Sequence, residues 1–150
     1  MHLVYDGPDR PIKAFIEANI ERCAERGLPR SGVAIGVANN DNVLVGGFYY
    51  HDYDPDAGVI EISLASTDKR WWTRSVLYGL LKYPFYDLGC QMIGSRTSAK
   101  DKALLRQLKA YGFDIHIIPR LFGREHDVAI CTLTIEQWEA NGFHREHKEP

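Results

Sequence analysis

Residues 59–85 read VIEISLASTDKRWWTRSVLYGLLKYPF, and the hydrophobic period changes inside that one stretch. Apolar residues alternate from Val59 to Ser66, which predicts a strand. A stripe of Trp72, Val76, Leu80 and Leu81, with Leu77 alongside, predicts a helix from about Trp71. A strand that feeds a helix through a tight turn aims the first unpaired helical N–H groups, with their partial positive charge, beyond the strand end. Such a turn is suited to an anion. Lys69, Arg70 and Arg74 stand within one helical turn of it. A charge run is most often a solvated face, but cations at a helix start oppose the helix dipole, and Asp or Glu would be the ordinary surface choice there. We therefore expect a phosphate at this turn.

Upstream, Asp54, Pro55, Asp56 and Gly58 form a turn, preceded by VLVGGFYYHDY (43–53), the tetrapeptide NNDN (39–42) and VAIGV (33–37). Three strands in succession make an antiparallel meander. Before them a stripe of Ile12, Phe15, Ile16, Ile20 and Cys23, opened by Pro8, Asp9 and Pro11 and closed near Gly27 and Pro29, predicts the first helix. Downstream, Pro84 and Gly89 end the second helix. CQMIGSRTS (90–98) then reads as a buried strand, and a crossover would set 90–96 parallel to 59–66. A third helix from about Ala99 to Ala110 turns Leu104, Leu105, Leu108 and Tyr111 inward, with Gly112 past its end. DIHIIPRLFG and DVAICTLT form a closing hairpin around GREHD. The expected class is α/β: a mixed central sheet with an N-terminal antiparallel meander, a βαβ unit and a C-terminal hairpin.

With 150 residues, 45% of them hydrophobic, the chain suits one domain over 1–150, with 144–150 as a frayed polar tail. A net charge of −2 argues against a general affinity for nucleic acid or acidic membranes. Cys23, Cys90 and Cys131 are odd in number and widely spaced, which suits free thiols in a reducing compartment. MHLVYDGPDRPIK has no signal-type apolar region and no apolar run is long enough to span a bilayer, so a cytoplasmic protein without membrane association is expected. His144 and His147 are not read as a metal site. The G-x-S-x-G, Walker, G-x-G-x-x-G and paired CxxC motifs are absent, which removes those readings.

From about Gly32 to Trp138 the order of elements resembles the GNAT superfamily of acyl-CoA-dependent N-acyltransferases. KALLRQLKAYGF followed by DIHIIPRLFGREHDVAICTLTIEQW is similar to the end of ribosomal-protein-type acetyltransferases, where a helix ends in Gly-Phe and two strands close the sheet. Arg70-Trp71-Trp72-Thr73-Arg74-Ser75 falls where the superfamily has its pyrophosphate loop, with Thr73 and Ser75 in place of the small residues. Counting back from Gly112, the thiolate-protonating tyrosine of many members falls on Leu108, and the asparagine of the ribosomal type falls on Asp101.

The resemblance implies an N-acetyltransferase with acetyl-CoA as co-substrate. Pantetheine would lie between strands 59–66 and 90–96, and backbone N–H groups near Leu64, Ala65 and Ser66 would hold the oxyanion. Pyrophosphate would sit on Arg70 to Ser75, and Asp101 would stand beside the cofactor. Glu61 alternates to the face opposite Ile60 and Ile62; it could be exposed or paired with an arginine, and the resemblance makes it the general base. Trp72 is read as core, and Trp71 as a wall for the cofactor arm or substrate. Tyr49, Tyr50, His51 and Tyr53 are read as core packing with a polar rim, although an aromatic-lined cleft would have the same pattern. The acceptor would be an amine, either a small molecule or a protein N-terminus or lysine. A homodimer is left open, and a non-catalytic CoA-binding or interaction module is the alternative.

Overall fold

The computed structural model describes residues 1–5 and 11–141. Pro8, Asp9, His144, His147 and the proposed tail at 144–150 lie outside the described residues. Seven strands, His2–Tyr5 (β1), Gly32–Ala38 (β2), Leu44–Asp54 (β3), Val59–Ser66 (β4), Met92–Ser98 (β5), Asp114–Ile118 (β6) and Val128–Thr134 (β7), form one mixed sheet in the order β1-β2-β3-β4-β5-β7-β6. Every pairing is antiparallel except β4 with β5. Five helices are described, Pro11–Ala18 (α1), Cys23–Arg26 (α2), Arg74–Lys82 (α3), Lys102–Tyr111 (α4) and Ile135–Ala140 (α5).

Alternation along the central strands sorts the core into two layers. Phe48, Tyr50, Ile60, Ile62 and Leu64 face α3 and α4, where they meet Val76, Leu77, Leu80, Leu81 and Leu108. Tyr49 and Ala65 point to the other side and pack beneath Ile12 and Ile16 of α1. Residues next to each other in a strand thus serve opposite layers, as the pleat requires. This α/β sheet with its meander, βαβ unit and closing hairpin has the expected architecture.

Several boundaries differ from the expectation for physical reasons. The helix stripe begins only at Arg74, because Lys69–Trp71 are wound into a 3-10 turn and Thr73 caps α3 by accepting a hydrogen bond from the Val76 N–H. Trp71 is 3% exposed and meets Phe48 edge-on, so it is itself part of the core, and Trp72 packs half-buried against Tyr111. Pro84 does not end the second helix at once. It has no N–H for the Leu80 carbonyl, the Tyr50 hydroxyl donates to that carbonyl instead, and the chain continues as a π turn over Tyr83–Asp87. The first helix stops at Ala18 and resumes as α2. The short edge strand β1 and the helix α5 are additional to the elements expected.

Candidate active site

The parallel register between β4 and β5 covers only Val59↔Met92, Ile60↔Ile93 and Glu61↔Gly94. Beyond that point each strand keeps its other neighbour, β4 pairing with β3 as far as Ser66↔Gly46 and β5 with β7 as far as Ser98↔Val128. The strands therefore part at Glu61, leaving facing edges that do not pair with each other. A cleft of about 1160 Å³ occupies the gap and runs to α4 on one side and to the α1–α2 connection on the other. Arg22 and Phe122, both in its wall, stack with the guanidinium carbon 3.9 Å from the ring centre, which joins the α1–α2 connection to the β6–β7 loop across the cleft.

Of the residues expected to bind cofactor, Leu64, Ala65, Ser66, Trp71 and Asp101 line this cleft, as does Glu61. Arg70, Trp72, Thr73, Arg74 and Ser75 lie outside its wall, while Lys69 and Lys100 are in it. Arg70 is held locally: its Nη2 and Nε donate to Asp68 at 2.8 and 3.0 Å, and its backbone N–H donates to the same carboxylate. Those hydrogen bonds hold the Asp68 carboxyl down at about 2. The Asp68 N–H donates to Ser66 Oγ, which in turn donates to the Val45 carbonyl, so the turn after β4 is fixed to β3. Asp101 caps α4 by accepting from the Leu104 N–H at 3.2 Å. Leu108 is fully buried, and among the described residues no tyrosine lines the cleft.

Two features of the wall were not anticipated from sequence. Ser95 is 2% exposed and its hydroxyl has no hydrogen-bond partner among the described residues, a state that buried polar groups rarely keep. The second lies on the α1 side of the sheet, where the register sets His51 opposite Glu61 and next to Ser63. His51 Nδ1 is 2.8 Å from Asp52 Oδ2 and His51 Nε2 is 2.9 Å from Ser63 Oγ. Glu61 Oε1 is 3.5 Å from Arg96 Nε. Ligand-type atoms of His51, Asp52 and Glu61 fall within 4.8 Å of one another, but both imidazole nitrogens are already occupied by side chains. Only the hairpin register could have joined His51 to Ser63, and a bulge between His51 and Asp54 hides that register from a count of residues.

No protein-family model matches the chain, and no curated protein matches it. Solved structures do. A candidate acetyltransferase from Acinetobacter baylyi superposes with a TM-score of 0.68 at 18% identity, over 90% of this chain and 93% of that one. The spermidine/spermine N-acetyltransferase SpeG of Vibrio cholerae gives 0.64 at 15% identity, over 73% of this chain and 70% of that one. A dodecameric form of the Vibrio cholerae spermidine N-acetyltransferase gives 0.63 at 13% identity, over 75% and 70%. At these identities the likeness is one of fold.

Proposed function

We propose that this chain, which has the GNAT fold, is an N-acetyltransferase that moves an acetyl group from acetyl-CoA to an amine by direct attack. The observation that carries the reading is the parting of β4 and β5 at Glu61, which opens a long cleft between two unpaired backbone edges. An extended arm bearing amides can bond to such edges as a strand would. Acetyl-CoA supplies a thioester carbon open to attack.

The pyrophosphate lies at the turn between β4 and α3, with Lys69 and Lys100 in the cleft wall and Arg74 at the helix start. Backbone N–H groups of Leu64 to Ser66 face the thioester oxygen and stabilise its developing charge. Glu61 attracts the acceptor ammonium and takes its first proton through a water. Fixing amine and thioester together removes most of the entropic barrier, so no covalent intermediate is required. A thiolate is a good enough leaving group to depart without an acid, which fits Leu108 in the core. We place the reaction in the cytoplasm, where free Cys23, Cys90 and Cys131 remain reduced.

A coupled assay for released CoA thiol tests this reading. The acceptors are spermidine, free lysine and peptides with either an open N-terminus or an internal lysine. Turnover of one class supports the proposal, and calorimetric binding of acetyl-CoA without turnover would favour a non-catalytic CoA-binding module.

A further inference from the structure

An alkylammonium must lose two protons to become an amide: one before the nitrogen attacks and one after the C–N bond has formed. Glu61 accounts for the first in the reading above, on which this inference rests. We propose that Ser63, His51 and Asp52 form a relay that takes the second proton from the attacking nitrogen and holds it until the product leaves. Ser63 is the catalytic residue, His51 the proton store behind it and Asp52 the residue that positions His51.

Burial and bonding define the route. His51 is 5% exposed, and both ring nitrogens are already engaged, Nδ1 by Asp52 and Nε2 by Ser63. An ionised carboxylate can only accept, so the hydrogen lies on Nδ1 and the Nε2 lone pair accepts from the Ser63 hydroxyl. Ser63 is itself in the cleft wall, two residues from Glu61 and on the same face of β4. A proton from the cleft therefore reaches the imidazole through Ser63 Oγ.

The support behind His51 requires a departure from regular strand. Adjacent residues in a strand point to opposite faces, which would turn the Asp52 carboxylate away from His51. Asp52 instead has φ of 53°, in the left-handed region, at the bulge in β3. That conformation is unfavourable for a residue with a side chain, and here it brings the carboxylate onto Nδ1. Tyr49 stacks on the ring at 5.7 Å and 26°, with Lys13 of α1 on the Tyr49 ring. The charged groups around His51 are thus Asp52 from the bulge, Glu61 from β4, Arg96 from β5 behind Glu61, and Lys13 beyond Tyr49.

The proton balance is complete. The neutral amine attacks the thioester carbon, a C–N bond forms and the nitrogen becomes positive. That nitrogen gives a proton to Ser63 Oγ as the Ser63 hydroxyl proton passes to His51 Nε2, leaving an imidazolium beside Asp52. The oxyanion collapses to the amide carbonyl, the C–S bond breaks and the thiolate takes a proton from solvent; once the products have left, His51 returns its proton through Ser63 to the water that refills the cleft.

Nitrogen NMR on the full chain with labelled histidine, together with kinetics on acetyl-CoA and spermidine, tests the relay. We expect Nδ1 to be protonated and Nε2 bare in the neutral ring, with that preference lost in Asp52→Asn, where asparagine tolerates the left-handed backbone. With turnover, Ser63→Ala should lower kcat about 10²-fold with little change in KM for the amine. In wild type kcat should rise with pH through two inflections, one for each proton acceptor, and Ser63→Ala should lose one of them. A neutral His51 ring protonated on Nε2 overturns the relay whether or not spermidine is acetylated, whereas failed turnover with the expected protonation pattern counts against the acetyltransferase reading alone. Acetyl found covalently on Ser63 by intact mass would also overturn the relay, by making Ser63 a nucleophile.

Discussion

Glu61 stands where the paired and parted segments of β4 meet, so a conservative exchange there separates chemistry from structure. Glu61→Gln keeps shape and hydrogen bonding but cannot accept a proton, and kcat should fall about 10²–10⁴-fold with little change in acetyl-CoA affinity. A wild-type rate would mean that its contact with Arg96 is its whole role. Gly46 carries a packing prediction: a Cβ there would lie 2.5 Å from the Trp71 ring. Gly46→Ala should cost about 1–3 kcal/mol, read by denaturant unfolding, and should displace Trp71 from the cleft wall. Asp68 carries the pH prediction. Its carboxyl is lowered from 3.8 to about 2 in the folded chain, so its stabilising effect is present above the ordinary value and disappears as pH falls from 3.8 toward 2. The melting-temperature gap between wild type and Asp68→Asn should therefore be small at neutral pH, because the Arg70 partner is 83% exposed to solvent, and should close over that acid range. Glu61 was legible as a charged residue breaking an apolar strand, whereas Ser63 was not, because a lone serine becomes informative only when its cross-strand neighbour is known.

Elements with a strong period were legible and those defined by end chemistry were less so. β2 to β5, α3 and α4 follow apolar repeats of two or about three and a half residues. β1 has four residues, all exposed or partly buried, and no alternation marks it. α5 did leave a signal: Thr134 and Gln137 form a reciprocal capping box, with the Gln137 N–H donating to Thr134 Oγ1 and the Thr134 N–H donating to Gln137 Oε1. Thr134→Ala should lower stability by about 1 kcal/mol, measured by urea unfolding, with little effect on the distant cleft. The split between α1 and α2 puts Cys23 in the cleft wall, half-buried, whereas Cys90 and Cys131 are sealed in the core. Burial raises all three thiols, Cys131 to about 11. A maleimide probe at neutral pH should label Cys23 alone in the folded chain and all three thiols after unfolding; rapid labelling of Cys131 in native conditions would contradict the packing described.

At the scale of the whole molecule, the proposed function rests on one interruption in a continuous sheet. The antiparallel meander and the βαβ crossover were legible because alternating runs, turns and one helix stripe leave few arrangements that bury every apolar face. The parting of β4 from β5 was implied only by the family resemblance, which puts pantetheine between these strands, since both sequences continue as good strands past the point where their pairing ends. Residue-resolved amide shifts during a titration with acetyl-CoA test the central claim directly. The account predicts saturable changes concentrated at Ile62–Ser66, at Ser95–Asp101 and at the turn from Lys69 to Arg74. No change at millimolar acetyl-CoA, or changes confined to the exposed β6 edge, would contradict it.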